Sequence, residues 1–342
     1  MTVPATAAAA VAVAVALDAA VAEPPSRVHP VALFGQLVAR VDRGGGGSKS
    51  DGWVRPRTVG VAVAALLPVL AAAVVTVTVL AGSHTHPWAG AAVAGLVLFS
   101  TTSLRELLDR ARAVIVASDG DLDAARDDLR ALAGRDASSL DAAHVRSAAV
   151  ESLAENLADG WVAPLVAFGG VVGGGGFVGG VTIVGIDAGL ALAAGAAAWV
   201  KAVNTLDSML GYRSKPVGWA PARLDDAVMW LPARLSAGLL GVATGTPGLP
   251  SRRRVRALAR RPASPNSGWP MATMAAALPA RLVKLGAYDL DPAGSGRAGG
   301  GAAAGADDTT PLPDVATATR AVGLTRRAGL LAAAVTGVVT WF

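Results

Sequence analysis

Cysteine is absent from this 342-residue chain, and histidine occurs only four times. The absence of cysteine excludes disulfide bonds, thiolate metal sites and cysteine nucleophiles. With only His29, His84, His86 and His144 available, the sequence supports neither a histidine-rich metal site nor a catalytic triad. Charged residues are also scarce, at 16% against about 25% in an ordinary soluble domain. The chain therefore has little polar surface.

The residues that are present are strongly apolar and clustered. Hydrophobic residues make up 53% of the chain, and the mean hydropathy is +0.48. No charged residue occurs in 58–83 or 87–103, and 161–200 contains only Asp187. Apolar runs of about 18 residues or more are typical of transmembrane helices. The sequence predicts an all-α, polytopic membrane protein with about five or six transmembrane helices and cytoplasmic interfacial helices.

The charge between the apolar runs predicts the orientation of the chain. Six cationic residues lie between the first two runs, at Arg27, Arg40, Arg43, Lys49, Arg55 and Arg57. Because cationic loops tend to remain in the cytoplasm, we expect this loop, and the polar segments on the same side, to face the cytoplasm of a cell-membrane protein.

The same pattern predicts the boundaries of the spans. We expect one membrane domain over 1–290, with spans at about 4–22, 58–82, 88–104, 161–183 and 185–200, cytoplasmic helices at 105–160 and 201–284, a disordered linker at 291–313 and a last span at 321–342. The apolar stretch 161–200 is marginal in length for two spans, so a re-entrant segment is an alternative.

The basic charge of the chain raises the question of a nucleic-acid partner. The net charge is +5 and the isoelectric point is near 10.2. In a membrane protein, an excess of lysine and arginine is expected beside the spans. We therefore expect the lipid bilayer, and no nucleic acid, as the partner of these charges.

The first polar cluster carries three carboxylates at intervals of four residues. Glu151, Glu155 and Asp159 would share one face of a helix, with Asn156 beside them. Three carboxylates repel each other unless a cation or a basic group lies among them. Such oxygen-rich clusters suit Mg²⁺ beside substrate phosphates. The alternative is an ordinary solvated helix face.

The second cluster follows the apolar stretch 161–200. Lys201, Asn204 and Asp207 (or Ser208) would share a helical face, and the polar residues Tyr212, Arg213, Arg223, Asp225 and Asp226 follow closely. Such a mixture of charges and amides at a membrane surface is costly unless the groups pair or bind a ligand. The alternative is an ion-paired interfacial helix.

The remaining polar segments are weaker signals. Residues Ser264–Pro270 have the composition of a turn. They follow an arginine run at 252–261, which is typical of a membrane-flanking patch and less often of a phosphate site. His29 precedes Pro30 just after the first span, where a structural role is the simpler interpretation.

Taken in order, these segments resemble one protein family. Leu17-Asp18, Glu23-Pro24, His29-Pro30-Val31 and Gly35 resemble the amino-terminal signature of the adenosylcobinamide-phosphate synthase family. Four later segments of this chain resemble the family's later motifs. They are Gly120-Asp121 with Gly134-Arg135-Asp136, 149–164, 201–212 with 219–235, and 264–271. The resemblance covers about 15–290.

The chain departs from the family pattern at four places. The family usually has Gly-Asp-Pro where this chain has Ala22-Glu23-Pro24, and its carboxyl-terminal Tyr-Gly-Gly-like segment is reduced to Tyr288-Asp289-Leu290. The inserts at 43–52 and 291–313 are longer and simpler in composition than the resemblance implies.

The resemblance implies an ATP-dependent amide ligation in cobalamin biosynthesis. The enzyme would join adenosylcobyric acid to (R)-1-aminopropan-2-yl phosphate or aminopropanol, giving adenosylcobinamide phosphate or adenosylcobinamide. Activation of a carboxylate by ATP needs a metal ion and cations directed at the phosphate oxygens. ATP and Mg²⁺ are the implied cofactors, and other cobalamin-biosynthesis enzymes are candidate partners.

The polar residues can be assigned to this chemistry as hypotheses. The candidate catalytic residues are Glu151, Glu155, Lys201, Asp207 and Asp225. The candidate substrate-binding residues are His29, Asn156, Asn204, Tyr212, Arg213, Arg223, Ser264 and Asn266. The candidate Mg²⁺ ligands are Glu155, Asp159, Asp207 and Asp226. The general base that takes the proton of the amine could be His29 or one of the carboxylates.

A non-catalytic transport or scaffold protein on the same fold is the alternative function. Transport sites normally lie near the middle of the membrane. The charges of this chain are concentrated in polar segments outside the apolar runs, with Asp187 as the candidate midplane charge. The sequence therefore favours the enzyme.

Overall fold

The fold is known from a computed structural model, which describes residues 3–45, 56–134, 136–174, 182–183, 186–212, 214–293 and 310–342. Within these residues the chain is helical apart from two short antiparallel hairpins. It divides into two compact units. Unit 1 contains 1–103, 159–232 and 332–342, and unit 2 contains 104–158 and 233–331.

Unit 1 is built largely from helices. They are α1 (Val3–Val21), α2 (Pro30–Gly45), α3 (Pro56–Thr85), α4 (Pro87–Thr101), α8 (Ala163–Gly173), α9 (Gly189–Leu210) and α10 (Trp219–Val228). Helix α9 packs against α2, α3, α4, α8 and α10, and α1 packs against α4. A side chain at Gly95 in α4 would overlap Val13 of α1, so this glycine permits the close approach that small residues give in membrane helices.

Unit 2 combines shorter helices with a hairpin. Its elements are α5 (Arg105–Ala117), α6 (Leu122–Ala133), α7 (Ala142–Leu157), α11 (Trp230–Ala243), α12 (Arg253–Leu258), α13 (Gly268–Ala277), β3 (Leu282–Lys284) and β4 (Tyr288–Leu290). Leu282 pairs with Leu290, and Lys284 pairs with Tyr288. The hairpin replaces the last residues of the predicted cytoplasmic helices. The last helix, α14 (Val315–Trp341), contributes to both units.

Five stretches of the described chain are long and apolar enough to cross a membrane. They are Val3–Val21, Pro56–Thr85, Pro87–Ala117, Gly189–Leu210 and Val315–Trp341. This number and the helical content confirm the predicted fold class, an all-α polytopic membrane protein with about five or six spans.

The boundaries within the predicted 161–200 hairpin differ from the expectation. Helix α8 ends at Gly173, and two short strands, β1 (Thr182–Ile183) and β2 (Ile186–Asp187), precede α9. Helix α9 does not end near residue 200 but continues through Lys201 to Leu210. It ends where Gly218 packs directly against the carbonyl oxygen of Leu210, since a side chain at Gly218 would overlap that oxygen. Lys201, Asn204 and Asp207 therefore lie on a candidate membrane span.

The two ends of the predicted linker at 291–313 are held together. The hydroxyl of Thr310 donates a hydrogen bond to Asp291 Oδ1 at 2.6 Å, and both residues are buried. Residues 294–309 lie outside the described residues. The last helix begins at Val315, six residues before the predicted span at 321–342.

Candidate functional site

Lys201 is the centre of a group of charges in unit 1. It lies near the middle of α9, where its side chain is partly buried. The carboxylates of Asp159 and Glu23 both lie close enough to act electrostatically on its amine. An ionisable residue in a membrane helix is costly and is a candidate for function by default. These charges come from three segments that are far apart in the sequence.

Asp159 is positioned by a break in regular helix. Helix α7 ends at Leu157, and Ala158–Val162 form a π-helical turn before α8 begins. Pro164 has no N–H to give to the carbonyl of Gly160, four residues earlier. The backbone N–H of Ser103 donates to that carbonyl instead, at 2.9 Å. Because the π turn interrupts the helix, the predicted four-residue spacing no longer places Asp159 on the same face as Glu151 and Glu155.

Glu23 was missed among the candidate site residues, although it lies in the amino-terminal motif. It follows the end of α1, and its Oε1 accepts a hydrogen bond of 2.6 Å from the hydroxyl of Ser103. Ser103 thus contacts both the Glu23 carboxylate and the carbonyl before Trp161. The preceding residue, Ala22, has a φ of 69°, in the left-handed region that glycine favours. This explains why the family pattern has glycine at that position.

His29 caps the amino terminus of α2. Its Nδ1 accepts a hydrogen bond from the backbone N–H of Val31 at 3.2 Å. Burial lowers the pKa of His29 below its usual value; the nearby Glu23 carboxylate opposes this shift, and the charge of Lys201 adds to it. His86, before Pro87, makes the same contact with the backbone N–H of Trp88. Capping is therefore a general role of the His-Pro pair in this chain, and the proximity of Glu23 and Lys201 distinguishes His29.

A cavity of about 250 Å³ lies beside Lys201, between α2, α3, α4 and α9. Its wall is almost wholly apolar, and Ser100, Thr101, Thr205 and Lys201 are the polar residues that line it. Leu70 and Val74 of α3 line it and are themselves 55% and 58% exposed. The cavity therefore opens on the exposed side of α3, and Lys201 is the charged residue among those that line it.

A second cluster lies one to two turns further along α9. The carboxylate of Asp226, on α10, lies close enough to Asp207 to repel it. Burial raises the pKa of Asp226, and the neighbouring Arg223 opposes this, with a guanidinium nitrogen 3.9 Å from Asp226 Oδ2. A bound cation would relieve the repulsion between two such carboxylates, and one or two carboxylates suffice for Mg²⁺ beside substrate phosphates.

The other residues of this segment have mixed surroundings. Asn204 is partly buried on α9, while Tyr212 is 55% exposed, with the amine of Lys215 5.3 Å from its ring centre. Asp225 lies beside Asp226 on α10. Arg213 lies outside the described residues, as does the side chain of Asp187.

The four predicted Mg²⁺ ligands do not form one group within either unit. Glu155 belongs to unit 2, whereas Asp159, Asp207 and Asp226 belong to unit 1. Asp159 acts on Lys201, so it is less suited to a metal ion than the Asp207–Asp226 pair. Across the described parts of the chain, no group of three or more His, Asp or Glu side chains has the geometry to hold a metal ion. A magnesium site therefore stays a prediction, with Asp207 and Asp226 as its best-placed residues.

Glu151 lies in a buried hydrogen-bond network of unit 2. It is 3% exposed, and its two oxygens accept hydrogen bonds from Ser147 Oγ at 3.0 Å and Tyr288 Oη at 2.8 Å. The hydroxyl of Ser147 in turn accepts a hydrogen bond from the backbone N–H of Val283 at 2.8 Å. The network joins α7 to both strands of the β3–β4 hairpin, which favours a structural role for Glu151.

The next turn of α7 is more open. Glu155 and Asn156 are both partly buried. The amide nitrogen of Asn156 donates to the carbonyl of Ser152 at 3.0 Å, which leaves its amide oxygen available to a ligand.

The Ser264–Pro270 turn is held by an arginine that the sequence interpretation did not single out. Ser264 Oγ accepts hydrogen bonds from the backbone N–H groups of Asn266 and Ser267, at 3.2 and 3.4 Å. Arg234 donates to Asn266 Oδ1 at 3.0 Å, and its guanidinium lies 5.0 Å from the ring centre of Trp269. These contacts bring two of the sequence motifs, around Arg234 and around Asn266, together.

Comparison with known proteins decides the family. A family model described as "CobD/Cbib protein" matches residues 11–312. The chain belongs to the CobD/Cbib family. The motif-based assignment to the adenosylcobinamide-phosphate synthase family is thereby confirmed. The family match includes the Lys201 cluster, the Asp207–Asp226 pair, the Glu151 network and the Ser264–Pro270 turn.

Named relatives support the same assignment. The chain is 34% identical over 278 residues to "Probable cobalamin biosynthesis protein CobD" of Methanothrix thermoacetophila, covering 80% of this chain and 83% of that protein. It is 39% identical over 264 residues to "Cobalamin biosynthesis protein CobD" of Rhodobacter capsulatus, covering 74% and 73%. A Klebsiella pneumoniae relative of the same name is 38% identical over 277 residues, covering 78% and 79%. No solved structure matches this chain.

Proposed function

We propose that this chain acts in cobalamin biosynthesis as a membrane-bound ligase. The reaction is the ATP-dependent joining of adenosylcobyric acid to (R)-1-aminopropan-2-yl phosphate or aminopropanol, giving adenosylcobinamide phosphate or adenosylcobinamide. Membership of the CobD/Cbib family and the names of the relatives support the pathway. The reaction itself rests on the family resemblance and on the chemistry of the site.

The observation that carries the proposal is the group of charges around Lys201. Glu23, Asp159 and Lys201 come from three separate motifs of unit 1, and Glu23 and Lys201 also lie close to His29. An amide ligation has to bind an ammonium group, remove its proton and stabilise negative charge on a phosphate oxygen. Two carboxylates suit the first two tasks, and a lysine suits the third.

The Asp207–Asp226 pair is the proposed place for the phosphates of ATP. Mg²⁺ held there would supply electrostatic stabilisation of phosphate charge. Arg223 would contact the same phosphates, and it already lies 3.9 Å from Asp226. Asn204 is one turn of α9 away from both Lys201 and Asp207, so its amide would bind substrate between the two clusters.

In unit 2, the proposed roles are to bind and position substrate rather than to take part in the reaction itself. Asn156 would bind substrate through its amide oxygen, and Glu155, the preceding residue of α7, would bind beside it. Asn266 and Ser264, ordered by Arg234, would present a polar loop to a substrate side chain. Because ATP is a cytoplasmic metabolite, we propose that these motifs face the cytoplasm in a multi-pass cell-membrane protein, where other enzymes of the pathway would have access.

One observation favours the alternative function. Lys201 lies near the middle of a candidate membrane span and beside a cavity, which is where a transport site is expected. A transport or scaffold protein would use this charge to bind a ligand without ATP-dependent chemistry. The two functions differ in whether a new covalent product forms.

The test is a ligation assay on purified protein reconstituted into membranes. The mixture contains adenosylcobyric acid, Mg-ATP and either amine, and the product is identified by mass. We expect an ATP-dependent product in the wild type, and a loss of about 10²-fold or more in Asp207→Asn. Asp127→Asn is the matched control, because Asp127 is 74% exposed on α6. Absence of product with either amine from folded wild-type protein would contradict the ligase and favour transport.

A further inference from the structure

We propose that Glu23 is the residue that removes the proton from the amine substrate. This inference rests on the proposed ligase function and adds a catalytic residue to it. It is carried by geometry: the Glu23 carboxylate is held by Ser103, lies near Lys201 and His29, and belongs to the same unit as Asp159.

The proton has to be removed because the substrate amine is an ammonium ion near neutral pH and has no lone pair for attack. Glu23 takes one proton from the ammonium group. The amine lone pair then forms the C–N bond with the carbonyl carbon of the acyl phosphate, and the C–O bond to phosphate breaks. The second proton of the nitrogen leaves with the phosphate as hydrogen phosphate, and Glu23 later returns its proton to solvent.

His29 is the obvious rival, and its hydrogen bond excludes this role. Its Nδ1 accepts from the N–H of Val31 at 3.2 Å. In a neutral imidazole, one nitrogen accepts and the other carries the hydrogen. With Nδ1 as the acceptor, Nε2 carries the hydrogen and donates, so it has no lone pair for the proton of an amine. His29 is therefore a hydrogen-bond donor to substrate and a cap for α2.

The surroundings of Glu23 fit the task. The hydroxyl of Ser103 donates a hydrogen bond to Oε1, with 2.6 Å between the two oxygens, and this fixes the orientation of the carboxyl group. The backbone N–H of Ser103 is fixed in turn by the carbonyl of Gly160, at 2.9 Å. The charged groups that act on the site are the Lys201 amine and the Asp159 carboxylate, so an incoming ammonium group meets two carboxylates and one cation. This balance favours binding of a cationic amine.

The experiment compares two nucleophiles on the same reconstituted protein. Aminopropanol phosphate enters as an ammonium ion, whereas hydroxylamine is largely unprotonated at neutral pH and attacks acyl phosphates without a base. The amide and the hydroxamate are quantified by mass for wild type, Glu23→Gln and the control Glu106→Gln. Glu106 is partly exposed on α5 and paired with Arg110.

We expect Glu23→Gln to lose amide formation by about 10²-fold or more while keeping hydroxamate formation within a few-fold of wild type. The residual amide rate of the variant should rise with pH as more free amine becomes available. Ser103→Ala should show a smaller loss with the same selectivity for the amine, and Glu106→Gln should show none.

Three results would overturn the inference. Equal loss of amide and hydroxamate in a folded Glu23→Gln protein would mean that Glu23 acts in formation of the acyl phosphate or in holding the structure, and not in deprotonation of the amine. Selective loss of the amide in Asp159→Asn, with Glu23→Gln unaffected, would transfer the role to Asp159. Absence of both products in the wild type would overturn the ligase function itself, which separates that failure from a failure of Glu23 alone.

Discussion

Replacing Tyr288 by phenylalanine tests how the hairpin of unit 2 is attached to α7. The change removes one hydroxyl and keeps the ring. That hydroxyl donates to Glu151 Oε2 at 2.8 Å, and Glu151 is 3% exposed. Loss of a hydrogen bond to a buried polar group costs about 1–3 kcal/mol of the free energy of unfolding, because water cannot replace the partner. The expected change in thermal midpoint is a few degrees.

Tyr212 provides a matched control, since the chain contains only two tyrosines. Tyr212 is 55% exposed, so Tyr212→Phe should change the free energy of unfolding by no more than about 0.5 kcal/mol. Unfolding of both variants is measured by circular dichroism in the same detergent and at one scan rate.

Hydrogen exchange should locate the effect of Tyr288→Phe. Faster exchange is expected at 282–290, where the network holds β3 and β4, with little change in α1. Equal thermal shifts for Tyr288→Phe and Tyr212→Phe would refute the argument that the Glu151 network stabilises the hairpin.

Two further substitutions test local features of the fold. Because Ala22 has a φ of 69°, Ala22→Gly should raise the free energy of unfolding by about 0.5–1 kcal/mol. Ala16→Gly, inside α1, should lower it by a similar amount. A shift of both thermal midpoints in the same direction would contradict the strain at Ala22. Asp141 caps α7, and its bond to the backbone N–H of His144 at 2.8 Å is the main cause that lowers its pKa. Asp141→Ala should therefore lower the free energy of unfolding by about 1 kcal/mol near neutral pH. This difference should shrink as pH falls through the lowered pKa of Asp141 in the folded protein. Asp141→Asn should keep the cap without the pH dependence, and a loss in Asp141→Ala that does not change with pH would contradict the capping role of the carboxylate.

The fold class could be predicted from the sequence because long apolar runs without charge are typical of transmembrane helices. The ends of the spans were less predictable. Lys201 and Asp207 suggested that the span before them ended near residue 200, yet α9 continues to Leu210. A helix can carry such charges where neighbouring segments pair with them, and those neighbours are not adjacent in the sequence.

The candidate site was predictable in its parts but not in its grouping. Spacing identified Lys201 and Asp207, but it also placed Asp159 on one face with Glu151, which the π turn at Ala158–Val162 prevents. Pro164 was the local signal for that turn. Glu23 was overlooked because a glutamate after a helix is common, and only the contact with Ser103 shows its place.

Turnover by Lys201→Gln tests most directly whether the charges around Lys201 form the active site. Lys215→Gln is the matched control, since Lys215 is also in unit 1 and pairs with Asp42 at 2.8 Å. Both proteins are reconstituted, checked for equal thermal midpoints and assayed for ATP-dependent product by mass. We expect a loss of about 10²-fold or more in Lys201→Gln and near wild-type turnover in Lys215→Gln, because only Lys201 would stabilise charge on a reacting phosphate. Wild-type turnover in a folded Lys201→Gln protein would contradict it.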